Sequence, residues 1–172
     1  DGSVLWLLES NKWVKANLLE EANSRGVASE RLVFATKVSI AQYIAQFRQA
    51  DLYLDTFTYN AGATASNALW AGLPVLTKLG KGYTARMAGS LLASLGLPEL
   101  ITTKETEYEE LALKLATNPE RLASIKQKLA ANRLSKPLFN TELFTKHLED
   151  GYQRAYQQYF DGKEPEPIYV PE

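Results

Sequence analysis

Residues 59–78 read YNAGATASNALWAGLPVLTK, and the reading of this stretch decides the fold. Glycine, alanine, serine and threonine fill its first half; the apolar residues of ASNALWAG then follow at helical spacing. Gly72 is placed to end that helix, and PVLTK follows as a short apolar strand. A helix that gives way to a strand within a few residues is half of an alternating α/β unit.

The alternation continues outward from there. Upstream, DLYLDT (51–56) alternates like a strand, and IAQYIAQFRQA (40–50) places Ile40, Tyr43, Ile44 and Phe47 on one helical face behind Ser39, a candidate N-cap. RLVFA (31–35) reads as a short strand, residues 12–25 as a helix closed by Gly26, and SVLWLL (3–8) as a strand. Its nearly continuous apolar run predicts an interior strand covered on both faces. The order βαβαβαβ predicts a parallel sheet with right-handed crossovers, whose ligands bind at the carboxyl ends of the strands. The loops after Ala35, Thr56 and Lys78 are therefore where a site belongs.

Beyond Leu97 the pattern turns helical, through TEYEELALKLATN (106–118), NPERLASIKQKLAANRL (118–134) and a long helix over residues 141–160. Phe144, Leu148, Tyr152 and Tyr156 recur there every four residues, and with Phe160 they are expected to pack as core against another element. The tail, GKEPEPIYVPE, carries three prolines and is expected to be extended. The expected organisation is a Rossmann-like lobe over residues 1–103, helices packing on it over 104–163, and an extended tail over 164–172.

Composition removes several functions. Nineteen basic residues against twenty acidic ones give a formal charge of −1, so no basic surplus exists to grip nucleic acid or an anionic membrane. The 172 residues, 45% hydrophobic, can bury one substantial core. The absence of cysteine excludes disulfides, thiolate zinc sites and cysteine nucleophiles. A lone histidine, His147, makes neither a metal site nor a triad. No apolar run approaches the ~18 residues of a membrane span, and the expectation is a soluble, cytoplasmic protein.

The small residues of the opening stretch suit an anion. Gly62, Ala63, Thr64 and Ala65 fall on the first turn of the helix beginning near Ala63, where free backbone N–H groups and the positive dipole end point outward. Small side chains let a phosphate oxygen approach, and Thr64 and Ser66 add hydroxyls. The competing reading is that Thr58 or Asn60 caps a helix whose alanines merely pack on the sheet. A Walker-type Gly-Lys-Ser/Thr is absent.

Lys78, Lys81, Tyr83 and Arg86 cluster in KLGKGYTAR (78–86), where a cation could offset developing negative charge. For Lys78 and Lys81 the alternative is a solvated, flexible loop; Arg86, expected inside the following helix, could instead make a structural salt bridge. Asp51 and Asp55 stand four residues apart on one strand, about 13 Å, too far for paired carboxylate catalysis. Asp55 is expected to accept backbone N–H bonds from the loop that follows it.

SNALWAGLPVLT (66–77) resembles the Glu/Asp-x-x-x-x-Gly-x-Pro element of the C-terminal nucleotide-binding lobe of GT-B glycosyltransferases, in which the acidic residue holds the nucleotide ribose. Asn67 takes that position. SVLWLLE (3–9), ADLYLDTF (50–57), LWAGLPVLT (69–77), ARMAGSLLASLGLPELI (85–101) and KPLFNTELF (136–144) further resemble, in order and spacing, the catalytic C-terminal lobe of the O-GlcNAc transferase family. That family also includes plant SPINDLY-type enzymes and bacterial adhesin N-glycosyltransferases. AGLPV alone occurs in many GT-B enzymes; the collinearity of the motifs over residues 3–160 carries the resemblance.

The resemblance implies a donor-binding lobe for a UDP-sugar such as UDP-GlcNAc, within an inverting transferase that modifies Ser/Thr, or Asn, on a protein acceptor. It implies metal-independent chemistry with no cofactor beyond the donor. Gly62 to Thr64 would occupy the family's His-Thr-Thr-like diphosphate motif, with Thr64 the surviving hydroxyl. Val38 would offer backbone groups to uracil, Tyr43 would stand at the position of a base-stacking histidine, and Ile40 would replace a ribose-binding lysine. Lys81 and Arg86 would lie beside the diphosphate and sugar. The departures at Gly62, Ile40 and Asn67 leave open a non-catalytic nucleotide-binding or protein-interaction module on the same fold. A phosphoacceptor receiver, suggested by Asp55 and Thr77-Lys78, fails because Glu9, Ser10 and Asn11 supply no acidic pair.

GT-B active sites form between two lobes, so the chain is expected to be a fragment that lacks the lobe's first strand and is inactive alone. Its expected partners are an N-terminal catalytic lobe and tetratricopeptide repeats in the full-length protein. The sheet edge beside residues 3–8 would also invite oligomerisation.

Overall fold

In the N-terminal part of the computed structural model, which describes residues 2–171, the strand β1 (Leu5–Leu8) pairs in parallel with β2 (Leu32–Ala35). The register sets Leu5 opposite Leu32 and Leu8 opposite Ala35, and the Glu9 N–H extends the ladder to the Ala35 carbonyl at 2.8 Å. Helix α1 (Lys12–Ser24) connects them. It starts where the Asn11 side chain accepts from the Trp13 and Val14 amides, at 3.0 and 2.9 Å, and stops at Gly26, whose φ of +74° lets Val27 N–H return to the Ala22 carbonyl. Helix α2 (Ile40–Gln46) begins with a reciprocal box: Ser39 N–H donates to Gln42 Oε1 at 3.2 Å, and Gln42 N–H to Ser39 Oγ at 3.4 Å. Its expected continuation to residue 50 instead tightens into a 3-10 turn, Phe47–Gln49.

No residue between 2 and 46 is buried. Leu5 and Leu8 are 45% and 50% exposed, which corrects the expectation of an interior strand. Among the described residues β1 pairs with β2 alone.

A second compact unit begins at Phe47 and holds the core. Strands β3 (Tyr53–Leu54), β4 (Val75–Lys78) and β5 (Ile101–Thr102) form a parallel sheet in that order, with Tyr53 opposite Val75 and Thr77 opposite Ile101. Strand β5 corrects the purely helical reading beyond Leu97; two residues are too few to show a period of two. Helices α3 (Ala63–Ala71), α4 (Met87–Ser94), α5 (Glu105–Thr117) and α6 (Pro119–Arg133) surround the sheet.

Central β4 is sealed, with Val75, Leu76 and Thr77 all at 0% exposure, as a strand covered on both faces requires. Ala65, Ala68 and Leu69 of α3, Leu92 of α4, Leu115 of α5 and Leu129 of α6 complete one apolar cluster. The AGLP turn works as the sequence implies: Gly72, at φ +92°, lets Leu73 N–H reach the Ala68 carbonyl at 2.9 Å, and the chain turns directly into β4. Two side chains then tie α6 down, Asn132 Nδ2 donating to the Leu95 carbonyl at 2.7 Å and Arg133 to the Trp70 carbonyl at 2.6 Å.

Helix α7 (Thr141–Phe160) departs from expectation. It buries no residue, and Phe144, Tyr152, Tyr156 and Phe160 are exposed rather than packed as core. Tyr156 and Phe160 stack edge-on within α7, centroids 4.8 Å apart. No described helix is long and apolar enough to cross a membrane.

Candidate functional site

The chain leaves β3 at Asp55 and reaches α3 eight residues later, and Asp55 organises that passage. Its carboxylate is 4% exposed and uses both oxygens: Oδ1 accepts the Ala61 N–H at 2.7 Å, Oδ2 the Thr77 hydroxyl at 2.6 Å. The Asp55 N–H pairs with the Leu76 carbonyl, and its own carbonyl accepts the Tyr108 hydroxyl at 3.0 Å. Burial pushes the Asp55 carboxyl above its ordinary value, and the bonds from Ala61 and Thr77 pull it partly back. Burial, and then the charge of Asp55, raise the Tyr108 phenol.

The intervening loop closes on itself. Thr56 Oγ1 donates to the Tyr59 carbonyl at 2.5 Å, and Asn60 Nδ2 to the Thr56 carbonyl at 2.7 Å. Neither Thr58 nor Asn60 caps α3: the N-cap is Gly62, and no side chain bonds to the first turn. The uncapped amides follow from a stretch that offers only Gly62 and Ala63 where a serine or aspartate would otherwise sit.

A second helix start adjoins this one. A Cβ built on Gly62 would lie 3.4 Å from Cγ of Met87, the first residue of α4, and Asn60 N–H donates to the Thr84 carbonyl at 3.0 Å. Helix α4 has no side-chain cap either. Two uncapped helix N-termini side by side give a corner of positive potential without any buried cation.

Ala63 and Thr64 are exposed at this corner, while Ala65 is fully buried. Thr64 Oγ1 stands 3.5 Å from the Tyr53 hydroxyl. Asn67 is half-buried one turn on, on the same helical face as Thr64. Lys81 is exposed in the 79–83 loop. Arg86, expected inside a helix, instead ends the 3-10 turn Thr84–Arg86 and stands at the N-cap of α4, exposed and without an ion pair among the described residues. Lys78 is not a solvated loop residue: it pairs with Glu105 at 2.7 Å and lies over the Phe57 ring at 4.3 Å, its side chain 17% exposed.

Val38 and Tyr43 belong to the N-terminal unit. Val38 is exposed in the loop after β2, and Tyr43 is half-buried on the first turn of α2. Asp51 is exposed and pairs with Lys126 at 3.0 Å. Among the described residues no three His, Cys, Asp or Glu side chains are placed to hold a metal ion. Tyr108 escaped the sequence reading, and Thr77 entered it only beside Asp55 in the rejected receiver pattern; a hydroxyl inside the sealed run VLT was the one local sign that a buried partner existed.

The sequence profile of glycosyl transferase family 41 matches residues 1–148. Over 169 residues the chain is 33% identical to the probable UDP-N-acetylglucosamine–peptide N-acetylglucosaminyltransferase SEC of Arabidopsis thaliana, covering 98% of this chain and 17% of that protein. It is 29% identical over 160 residues to the UDP-N-acetylglucosamine–peptide N-acetylglucosaminyltransferase of Caenorhabditis elegans, covering 93% and 14%. A mutant O-GlcNAc transferase from Thermobaculum terrenum superposes with a TM-score of 0.82 at 32% identity, over 88% of this chain and 30% of that one. The chain thus spans less than a fifth of the two curated relatives and under a third of the solved structure.

Proposed function

Because this chain belongs to glycosyl transferase family 41, we propose that it is the donor-binding lobe of an inverting protein glycosyltransferase that takes UDP-GlcNAc and modifies Ser or Thr hydroxyls. The observation that carries the reading is the pair of uncapped helix starts at Gly62 and Met87. A diphosphate docks there against the amides of Ala63, Thr64 and Ala65 and the Thr64 hydroxyl, with Lys81 and Arg86 available to its outer oxygens. Asn67 takes the ribose. Val38 and Tyr43 take the uracil.

In the reaction, the acceptor oxygen bonds to the anomeric carbon as the bond from that carbon to UDP breaks. The acceptor proton passes to a base, and UDP departs with the bonding electron pair. The role of these residues is to stabilise the charge that accumulates on the leaving diphosphate, through fixed dipoles and two cations rather than a metal. Acceptor positioning is assigned to a second, N-terminal catalytic lobe of the full-length protein, with tetratricopeptide repeats in front of it.

The experiment is isothermal titration of the full-length protein with UDP, ADP and GDP. Preference for UDP is expected, and equal affinity for all three would sink the uridine assignment. A second reading, a nucleotide-binding module without transfer chemistry, is favoured by the uncharged residues at Gly62, Ile40 and Asn67. UDP binding without any sugar transfer would select it.

A further inference from the structure

We infer that Asp55 is the positioning residue of this site: it fixes the start of α3 to the sealed centre of the sheet and so sets where a diphosphate can sit. The inference rests on the reading that the diphosphate docks at α3. Its geometry is a two-point strap. One carboxylate oxygen holds Thr77, which is 0% exposed on the central strand, and the other holds the amide of Ala61, immediately before the N-cap Gly62. Phe57 packs against Lys78 of β4 and Tyr108 of α5, and Tyr108 also donates to the Asp55 carbonyl. The remaining bonds of residues 55–62 are among themselves or to the neighbouring 84–86 turn, so at the helix-proximal end of the loop the strap is the hydrogen bond that reaches the sheet. Asn60, 1% exposed, carries the constraint onward: its side chain holds Thr56 and its N–H holds Thr84, so the loop bearing Lys81 and Arg86 is set in step with α3.

A purely structural role is distinguishable. The bond to Ala61 can be lost without removing a methylene from the apolar cluster, which consists of other residues. Its loss shifts the first-turn amides, and a misplacement of about 1 Å in a binding group is costly. An asparagine at position 55 can keep both contacts. Its Oδ1 still accepts from Ala61, while its Nδ2 donates to the Thr77 hydroxyl, which rotates to accept.

The test measures UDP affinity and the KM for UDP-GlcNAc in the full-length protein for Asp55→Ala, Asp55→Asn, Thr77→Val and Leu129→Ala. Asp55→Ala is expected to weaken UDP binding about tenfold, the loss associated with one hydrogen bond to a charged group. KM should rise with it more than kcat falls. Asp55→Asn should return to within about threefold of the wild type, and Thr77→Val, which removes only the anchor, should fall between them. Leu129→Ala lowers stability through the core and should leave UDP affinity unchanged, which separates positioning from general loosening. If Asp55→Ala does not fold, Thr77→Val is read in its place against the same control.

Wild-type affinity in Asp55→Ala or Thr77→Val, or equal weakening in Leu129→Ala, overturns the inference. A wild-type protein that does not bind UDP overturns the donor-site reading and this inference together. Normal wild-type binding beside an unaffected Asp55→Ala overturns this inference alone.

Discussion

Replacing Gly72 by alanine should destabilise the second unit by about 1 kcal/mol, for a reason that is conformational and not steric. A Cβ at position 72 would find only Arg133 Nη1, at 3.9 Å, so packing offers no objection. The backbone does, because φ is +92° and a left-handed conformation costs an L-residue about 1–2 kcal/mol. Against this, alanine narrows the unfolded ensemble by about 0.4–1 kcal/mol, which leaves the net near 1. Gly82 supplies the matched control: nothing lies within 4 Å of its Cβ and its φ is not left-handed, so Gly82→Ala should be neutral or stabilising by a few tenths. Urea unfolding followed by circular dichroism would report the difference as a shift in midpoint at constant slope. In heat, Gly72→Ala should melt about 2–4 °C lower. A Gly72→Ala protein as stable as Gly82→Ala would refute the reasoning, because the bond from Leu73 to Ala68 would then not depend on the left-handed turn.

Four further outcomes are expected. Leu129→Ala, at a fully buried position of α6, should cost about 2–5 kcal/mol by calorimetry or denaturation. Asp55 is easier to protonate in the folded chain than its ordinary 3.8, so its contribution to stability is present below that value and is lost as pH rises through the raised one. The stability of Asp55→Asn relative to wild type should therefore increase from pH 4 to pH 7, and a constant difference would show the carboxyl unperturbed. Asn67→Asp adds a charge to the proposed ribose contact and should tighten UDP binding about fivefold, as charge-assisted hydrogen bonds are roughly twice as strong; unchanged or weaker affinity places Asn67 elsewhere. Residues 1–172 alone should transfer no sugar to a protein acceptor from labelled UDP-GlcNAc, because positioning of the acceptor accounts for ~7–11 kcal/mol of barrier reduction; appreciable transfer would remove the need for a second lobe.

The alternation of helices and strands was readable because each step has a local cause. Ser39 starts a helix, Gly26 and Gly72 end helices, and the apolar run PVLTK reads as a strand. What failed to show had no local cause. Strand β5 is two residues long and leaves no period. The exposure of Leu5 and Leu8 depends on how many strands flank β1, and the bare aromatic face of α7 on whether any element meets it. Neither is written in the segment itself. The Asp55 strap joins residues 22 apart in sequence, and the Tyr108 hydroxyl reaches back 53 residues, so only the tertiary fold brings them together.

The division between backbone and side chain also bears on what this site would retain as its sequence changes. Gly62, Ile40 and Asn67 offer no charge, whereas the two helix starts present amides that exist whatever side chains follow. An anion held by amides and dipoles tolerates substitution around it, provided the residues stay small and no side chain caps the turn. Recognition of base, ribose and sugar depends on individual side chains and has no such tolerance. Affinity for a diphosphate should accordingly be the most robust property of the lobe, with the choice of nucleoside and sugar the more easily altered. In that case pyrophosphate should compete with UDP for the same site. Substituting Thr64 by a bulky residue should abolish both, whereas substituting Tyr43 should weaken UDP and leave pyrophosphate unaffected.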